Sequence, residues 1–174
     1  MKTPNLFVVF DVESVGLHGE GFAVGFTVVD LEGNERECGR YACNPNAARG
    51  TPGGHKWVEE NIQKLEETHA SPWLVRTAFW RRWQAWKAEG ALLVADCAWP
   101  VEARFLAACV DDNPMTHEWS GPYPLHDLAS VLLAAGRDPL AKNERLPREL
   151  PEHDPLADAR QSARLLLEAL KPAA

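Results

Sequence analysis

Two acids separated by one residue, Asp11 and Glu13, close an apolar run that begins at Leu6. Side chains alternate along an extended strand, so Val9, Asp11 and Glu13 share a face and the two carboxylates project together. Like charges that close repel, and a divalent cation between them removes the penalty. Ligation by oxygen alone selects hard ions, Mg²⁺ or Mn²⁺. On its own an Asp-x-Glu is weak evidence, because exposed strand ends often carry acids. A second group of reactive side chains lies far along the chain, in His153-Asp154-Pro155-Leu156-Ala157-Asp158. Asp154 suits a helix N-cap and Pro155 the first helical position. That spacing puts Asp158 one turn inside a helix and leaves His153 in the loop before it. An imidazole, which titrates near neutrality, is suited to taking a proton from water. Taken alone, this hexapeptide also fits a surface histidine beside an ordinary helix cap.

The elements that must position these residues can be read from pattern. Leu6 to Phe10 is a short β-rich run, expected as a strand covered on both faces. Phe22 to Asp30 and Glu35 to Cys43 are expected to form an antiparallel meander around the turn Leu31-Glu32-Gly33-Asn34. Asn44 to Lys56, with Pro45, Pro52 and three glycines, predicts an irregular loop and a candidate substrate-facing flap. Helices are expected over Trp57 to Thr68, Trp73 to Glu89, Val101 to Val110 and Leu125 to Ala135, with strands at Ala91 to Ala95 and Met115 to Trp119. Leu156, Ala159, Ala163, Leu166, Leu167 and Leu170 recur at helical spacing and give the last helix one buried stripe. Asp158 lies off that stripe, so it is free to face a ligand. Three early strands followed by helices alternating with short strands predict an α/β domain on a mixed sheet.

At 174 residues and 45% hydrophobic content the chain is expected to be a single domain over 1–174. No stretch is long and apolar enough to cross a bilayer, and no basic region precedes the first apolar run, so a non-exported, cytoplasmic protein is the expectation. Cys38, Cys43, Cys97 and Cys109 lack paired spacing, which argues for reduced thiols over zinc ligands or disulfides. The net charge of −7 argues against a protein that coats nucleic acid by bulk electrostatics. It does not exclude a nuclease, because cations in an acidic cleft reverse the local field.

Phe10-Asp11-Val12-Glu13 at the end of the first strand and His153 with Asp158 at the opening of the last helix together resemble the DEDDh 3′-to-5′ exonucleases. That superfamily includes proofreading exonuclease subunits, RNase T and oligoribonuclease, and the resemblance spans nearly the whole chain. It implies a ribonuclease H-like fold, a mixed five-stranded sheet flanked by helices. It also implies two Mg²⁺ or Mn²⁺ ions, one activating water and the other stabilising the leaving oxygen. Asp11, Glu13 and Asp158 then resemble the metal ligands and His153 the general base. The family's fourth acid falls in Ala95-Asp96-Cys97-Ala98-Trp99-Pro100-Val101-Glu102-Ala103-Arg104-Phe105-Leu106. Anchoring on Phe105-Leu106 selects Glu102, with one extra residue near Pro100, and leaves Asp96 as the competitor. Ser14 and Gly16 match the family's F-D-x-E-[TS]-x-G, which implies that Ser14, Val15, Gly16 and Leu17 pack on the terminal nucleotide. The implied partner is the 3′ end of a single strand, DNA or RNA, and homodimers occur in the superfamily. Two rival functions stand beside this one: a phosphodiesterase for very short oligonucleotides or dinucleotides, and a non-catalytic nucleic-acid-binding module of the same shape.

Several further residues have plainer uses. Phe79, Trp83 and Trp86 have core-stripe spacing, and Trp80 and Trp99 are weaker candidates for base stacking. Arg76, Arg81, Arg82 and Lys87 fit either a phosphate track or a solvated helix face. His55 in the glycine-rich loop is a candidate substrate contact, and Asp127 suits a helix cap.

Overall fold

The structure is a computed structural model that describes residues 5–171. Five strands form one mixed sheet in the order β3-β2-β1-β4-β5. They are β1 (Leu6–Ser14), β2 (Gly21–Asp30), β3 (Glu35–Ala42), β4 (Leu92–Ala95) and β5 (His126–Asp127). β1, β2 and β3 pair antiparallel, whereas β4 runs parallel to β1 and β5 parallel to β4. The helices are α1 (Pro52–Asn61), α2 (Pro72–Ala88), α3 (Ala103–Asp111), α4 (Pro114–His117), α5 (Leu128–Ala134) and α6 (Pro155–Leu170). Among the described residues no helix is long and apolar enough to cross a membrane, and all four cysteines are free thiols.

The alternation along β1 organises everything else. Val8, Phe10 and Val12 belong to a core that includes Phe79 and Trp83 of α2 and Phe105 and Leu106 of α3. Phe7 and Val9 belong to a second core with Leu128 and Leu132 of α5 and Ala163, Leu165 and Leu166 of α6. Period two continues that second face through Asp11 and Glu13, so the carboxylates emerge on the α6 side. The parallel pairing of Phe10 with Ala95 brings Asp96 to the same sheet edge.

A glycine lets the distant ends of the chain meet. Asp11 pairs with Gly25 across the β1–β2 register. A Cβ at Gly25 would lie 2.1 Å from the Leu156 nitrogen and 2.1 Å from the Pro155 carbonyl carbon. The first turn of α6 therefore rests directly on the β2 backbone beside Asp11, at a distance no side chain permits. Asp154 caps that turn, its Oδ1 accepting from the backbone N–H groups of Leu156 at 3.0 Å and Ala157 at 3.2 Å. Arg40 of β3 pairs with the other oxygen of the same carboxylate.

Four sequence expectations are corrected. The loop expected over residues 44–56 ends earlier, because Thr51 caps α1 by accepting from Gly54 N–H at 3.0 Å and Pro52 occupies the first helical position. Helix α1 stops at Asn61, short of the expected Thr68. The strand expected at 115–119 is instead α4 and a turn, with Pro114 opening the helix. The fifth strand is His126–Asp127, whose two residues are too few to show an alternation. In α6 the buried stripe also takes in Ser162 and Leu165 and ends at Leu166, leaving Leu170 43% exposed.

Candidate active site

A cleft of about 670 Å³ opens at the ends of β1 and β4, lined by Asp11, Glu13, Asp96, Arg145, His153 and Asp158 among others. Asp11 and Glu13 come from β1, Asp96 follows β4, and Asp158 sits one turn into α6. Single ligand atoms of Glu13, His153 and Asp158 all lie within 4.8 Å of one another. Glu102 lies at the end of a wide, irregular turn, Ala98–Glu102; it is buried and does not line the cleft, which its neighbour Val101 does. That turn takes up the extra residue noted beside Pro100, and Trp99 within it has extended backbone angles.

The electrostatics are those of crowded acids with few counter-ions, Arg145 beside Asp158 being the cation that lines the cleft. Burial pushes Asp11 well above the ordinary carboxylate range, and Glu13, Glu102, Asp158 and Asp96 each push it further. Glu13 is raised to about 8, first by burial and then by Asp158, Glu102 and Asp154. Glu102 is raised to about 7, mainly by burial. Asp96 is raised by burial against a 2.8 Å hydrogen bond from the Ser162 hydroxyl. Both candidates for the fourth acid thus act on Asp11, but only Glu102 also perturbs Glu13. Among the described residues the ligand atoms grouped within 4.8 Å are those of Glu13, His153 and Asp158, without Asp11, Glu102 or Asp96, and carboxylate oxygens of this kind fit hard divalent cations.

His153 is held by its backbone. It has φ 61°, the left-handed region that non-glycine residues rarely enter. Its N–H donates to Asp158 Oδ2 at 3.0 Å, and its Nδ1 is 3.6 Å from Glu13 Oε1. On its other side the Trp57 ring meets the imidazole edge-on, with centroids 5.4 Å apart.

The turn after β1 forms the cleft's rim. Ser14 is buried and donates to the Gly16 carbonyl at 2.8 Å, while Leu17 is 67% exposed. Val15 packs into the core, so the side chains available at this rim are those of Ser14 and Leu17, beside Gly16. Gly16 has φ 76°, and a Cβ at Gly54 would lie 2.8 Å from the Val15 carbonyl oxygen, so α1 is pressed against this turn. His55 lines a neighbouring groove of about 850 Å³ and not the acidic cleft.

Other candidates are committed elsewhere. Arg76 is bound to Glu20 and Asp112, Arg82 to Glu37, and Lys87 donates to the Ser120 carbonyl. Three of the four cations on α2 therefore hold the fold together, and Arg81 is left exposed. Trp80 is buried against His117 and does not offer a stacking face, whereas Trp99 is 67% exposed. Asp127 caps α5 by accepting from Ser130 N–H at 3.0 Å. Two lining residues carried no sequence signal for this role: Trp57 reads as an ordinary helix residue, and Arg145 lies in a proline-rich connection.

No protein-family model matches the sequence, and no curated protein matches it.

Proposed function

We propose that this protein is a metal-dependent 3′-to-5′ exonuclease of the DEDDh type, with a ribonuclease H-like fold, releasing nucleoside monophosphates from single-stranded ends. The observation that carries the reading is the convergence of Asp11 and Glu13 from β1 with His153 and Asp158 from the start of α6, at one cleft. The sheet order β3-β2-β1-β4-β5, antiparallel then parallel, supports the fold assignment.

Asp11, Glu13, Asp158 and Glu102 would hold two Mg²⁺ or Mn²⁺ ions, and Asp96 stands next to that set as a further oxygen donor. When bound, the ions supply a Lewis acid for the phosphoryl oxygens, a lowered water pKa and stabilisation of the leaving oxygen. His153 takes the proton of the attacking water. With Nδ1 turned toward Glu13, Nε2 is the nitrogen left to do so. The Trp57 ring and the backbone hydrogen bond to Asp158 limit the positions the imidazole can adopt. Ser14, Gly16 and Leu17 form the rim on which the terminal nucleotide rests.

A second reading, hydrolysis of dinucleotides and very short oligonucleotides, draws on the cleft's small-ligand size of about 670 Å³ and the net charge of −7. The test is release of mononucleotides from 5′-labelled DNA and RNA strands and from dinucleotides, with Mn²⁺ or with EDTA. Turnover that stops with EDTA and in Asp11→Ala is expected; unchanged turnover in either case refutes the proposal. A dinucleotide preference selects the second reading, and metal binding without turnover on any substrate selects a binding module.

A further inference from the structure

One cation of the chain's own already stands inside the acid cluster. Arg145 belongs to the connection between α5 and α6, and only 18% of its side chain is exposed. Its Nη1 donates to Asp158 Oδ1 and, at 2.9 Å, to the Glu149 carbonyl. Its Nε lies 3.5 Å from Glu152 Oε1 at the rim. The second oxygen of Asp158 accepts the His153 N–H at 3.0 Å. Both oxygens of Asp158 are therefore engaged by donors of the chain itself. Among the described residues, Asp11, Glu102 and Asp96 have no Lys or Arg partner, and Glu13 has only the imidazole of His153.

Asp158 is also one of the three residues whose ligand atoms come within 4.8 Å of one another. A guanidinium and a divalent cation at the same carboxylate oxygen compete: both draw on its lone pairs, and each repels the other. We infer that Arg145 is a built-in competitor for the divalent ion at Asp158. As a positioning residue it holds Asp158, and through it the His153 backbone, in register while no ion is bound, and it gives up Asp158 when one enters. The Glu149 carbonyl keeps the displaced guanidinium tethered at the cleft. Metal occupancy is then weaker than the acids alone would give, which ties assembly of the site to conditions that favour the ion. This inference rests on the metal-dependent reading above.

The experiment is calorimetric titration of Mn²⁺ into the full chain without substrate, for wild type, Arg145→Ala and Arg145→Lys. Loss of a charge-assisted hydrogen bond predicts Mn²⁺ binding about ten- to a hundredfold tighter in Arg145→Ala. Arg145→Lys, with a charge but no Nε to face Glu152, falls between them and serves if the alanine variant does not fold. Free guanidinium at a non-denaturing concentration weakens Mn²⁺ binding to Arg145→Ala and leaves wild type unchanged, an effect a purely structural role does not produce. Equal or weaker Mn²⁺ binding in both folded variants overturns the competitor role alone. Absence of Mn²⁺ binding in wild type and variants alike overturns it together with the metal-dependent reading.

Discussion

Two groups of sheltered carboxylates, both within reach of the turn after β1, meet opposite fates. On one side Glu20 and Asp112 flank the buried Arg76, which donates to Asp112 at 2.6 and 2.9 Å and to Glu20 at 2.8 Å. Burial alone would raise Glu20, yet the Arg49 backbone N–H and the Arg76 guanidinium bring it below its ordinary value. Glu149, fully buried, is likewise lowered by Arg164 against burial. On the other side burial raises Asp11, Glu13, Glu102 and Asp96, neighbouring acids add to it, and none of the four has a Lys or Arg partner among the described residues; Asp158 is raised by burial as well, in spite of Arg145. The same chain that pairs a buried acid in one place leaves several unpaired in another. Acids that the fold neutralises serve stability, and on the function proposed above the acids it leaves uncompensated are the ones that take a cation from outside.

The largest effect falls on the paired side. Removing one partner of a buried ion pair strands the other charges, so Arg76→Ala should cost roughly 3–5 kcal/mol of stability. Urea denaturation measures it. Cleavage per folded molecule, assayed well below the unfolding transition, should stay close to wild type, since Arg76 holds the fold and touches no group of the acid cluster. A stable Arg76→Ala protein with lost cleavage would break the division between the two regions.

On the unpaired side the sign reverses. Glu13 has a folded-state value near 8 against an ordinary 4.5, so above pH 4.5 the folded protein binds more protons than the unfolded one. Stability of the metal-free protein therefore falls as pH rises through that window, with Glu102, raised to about 7, contributing in the same direction. Glu13→Gln cannot ionise and should be more stable than wild type by a few kcal/mol at pH 8 without metal, and equal to it near pH 4.5. Calorimetric melting in EDTA at the two pH values checks this, and a Glu13→Gln that melts lower at pH 8 would show that Glu13 is compensated after all. Cleavage should be lost in the same variant.

A smaller effect tests how the unpaired acids are brought together. At Gly25 the backbone of β2 touches the start of α6, so Gly25→Ala forces Pro155 and Leu156 away from the sheet. Overpacking of this kind costs roughly 1–3 kcal/mol. Because α6 carries Asp158 and is entered through His153, the expected signature is weakened Mn²⁺ binding and reduced kcat beyond the loss in stability. Full activity in a destabilised Gly25→Ala would mean that this contact serves packing alone.

These contrasts also mark what sequence could reveal. Asp11 and Glu13 were legible because period two in a strand is rigid, and Asp154-Pro155 because a cap and a first-turn proline are local chemistry. The α/β class followed from the same local signals, as did the helices α2, α3 and α6 in outline. What escaped depends on contacts between distant residues. Arg76 reads like any basic residue on a helix until Glu20 and Asp112, 56 and 36 positions away, are seen to close on it. Arg145 gives no sign of Asp158, and Trp57 none of His153. The strand expected at 115–119 failed for a related reason: β5 is two residues long, and its pairing with β4 is set by the fold and not by any pattern of its own.

Proximity of opposite charges is not enough to place a pair in either class, and the smallest prediction isolates that point. Lys56 and Glu60 sit one helical turn apart on α1 with a 3.7 Å separation, but their side chains are 72% and 59% exposed. Water solvates both charges before and after folding, and salt screens what remains, so the coupling should be no more than about 0.3–0.5 kcal/mol. A double-mutant cycle with Lys56→Ala and Glu60→Ala measures it, and raising the salt concentration should remove it. A coupling comparable to that of Arg76 with Asp112 would mean that distance, not burial, separates structural from poised acids. The contrast drawn between the two regions would then lose its physical basis.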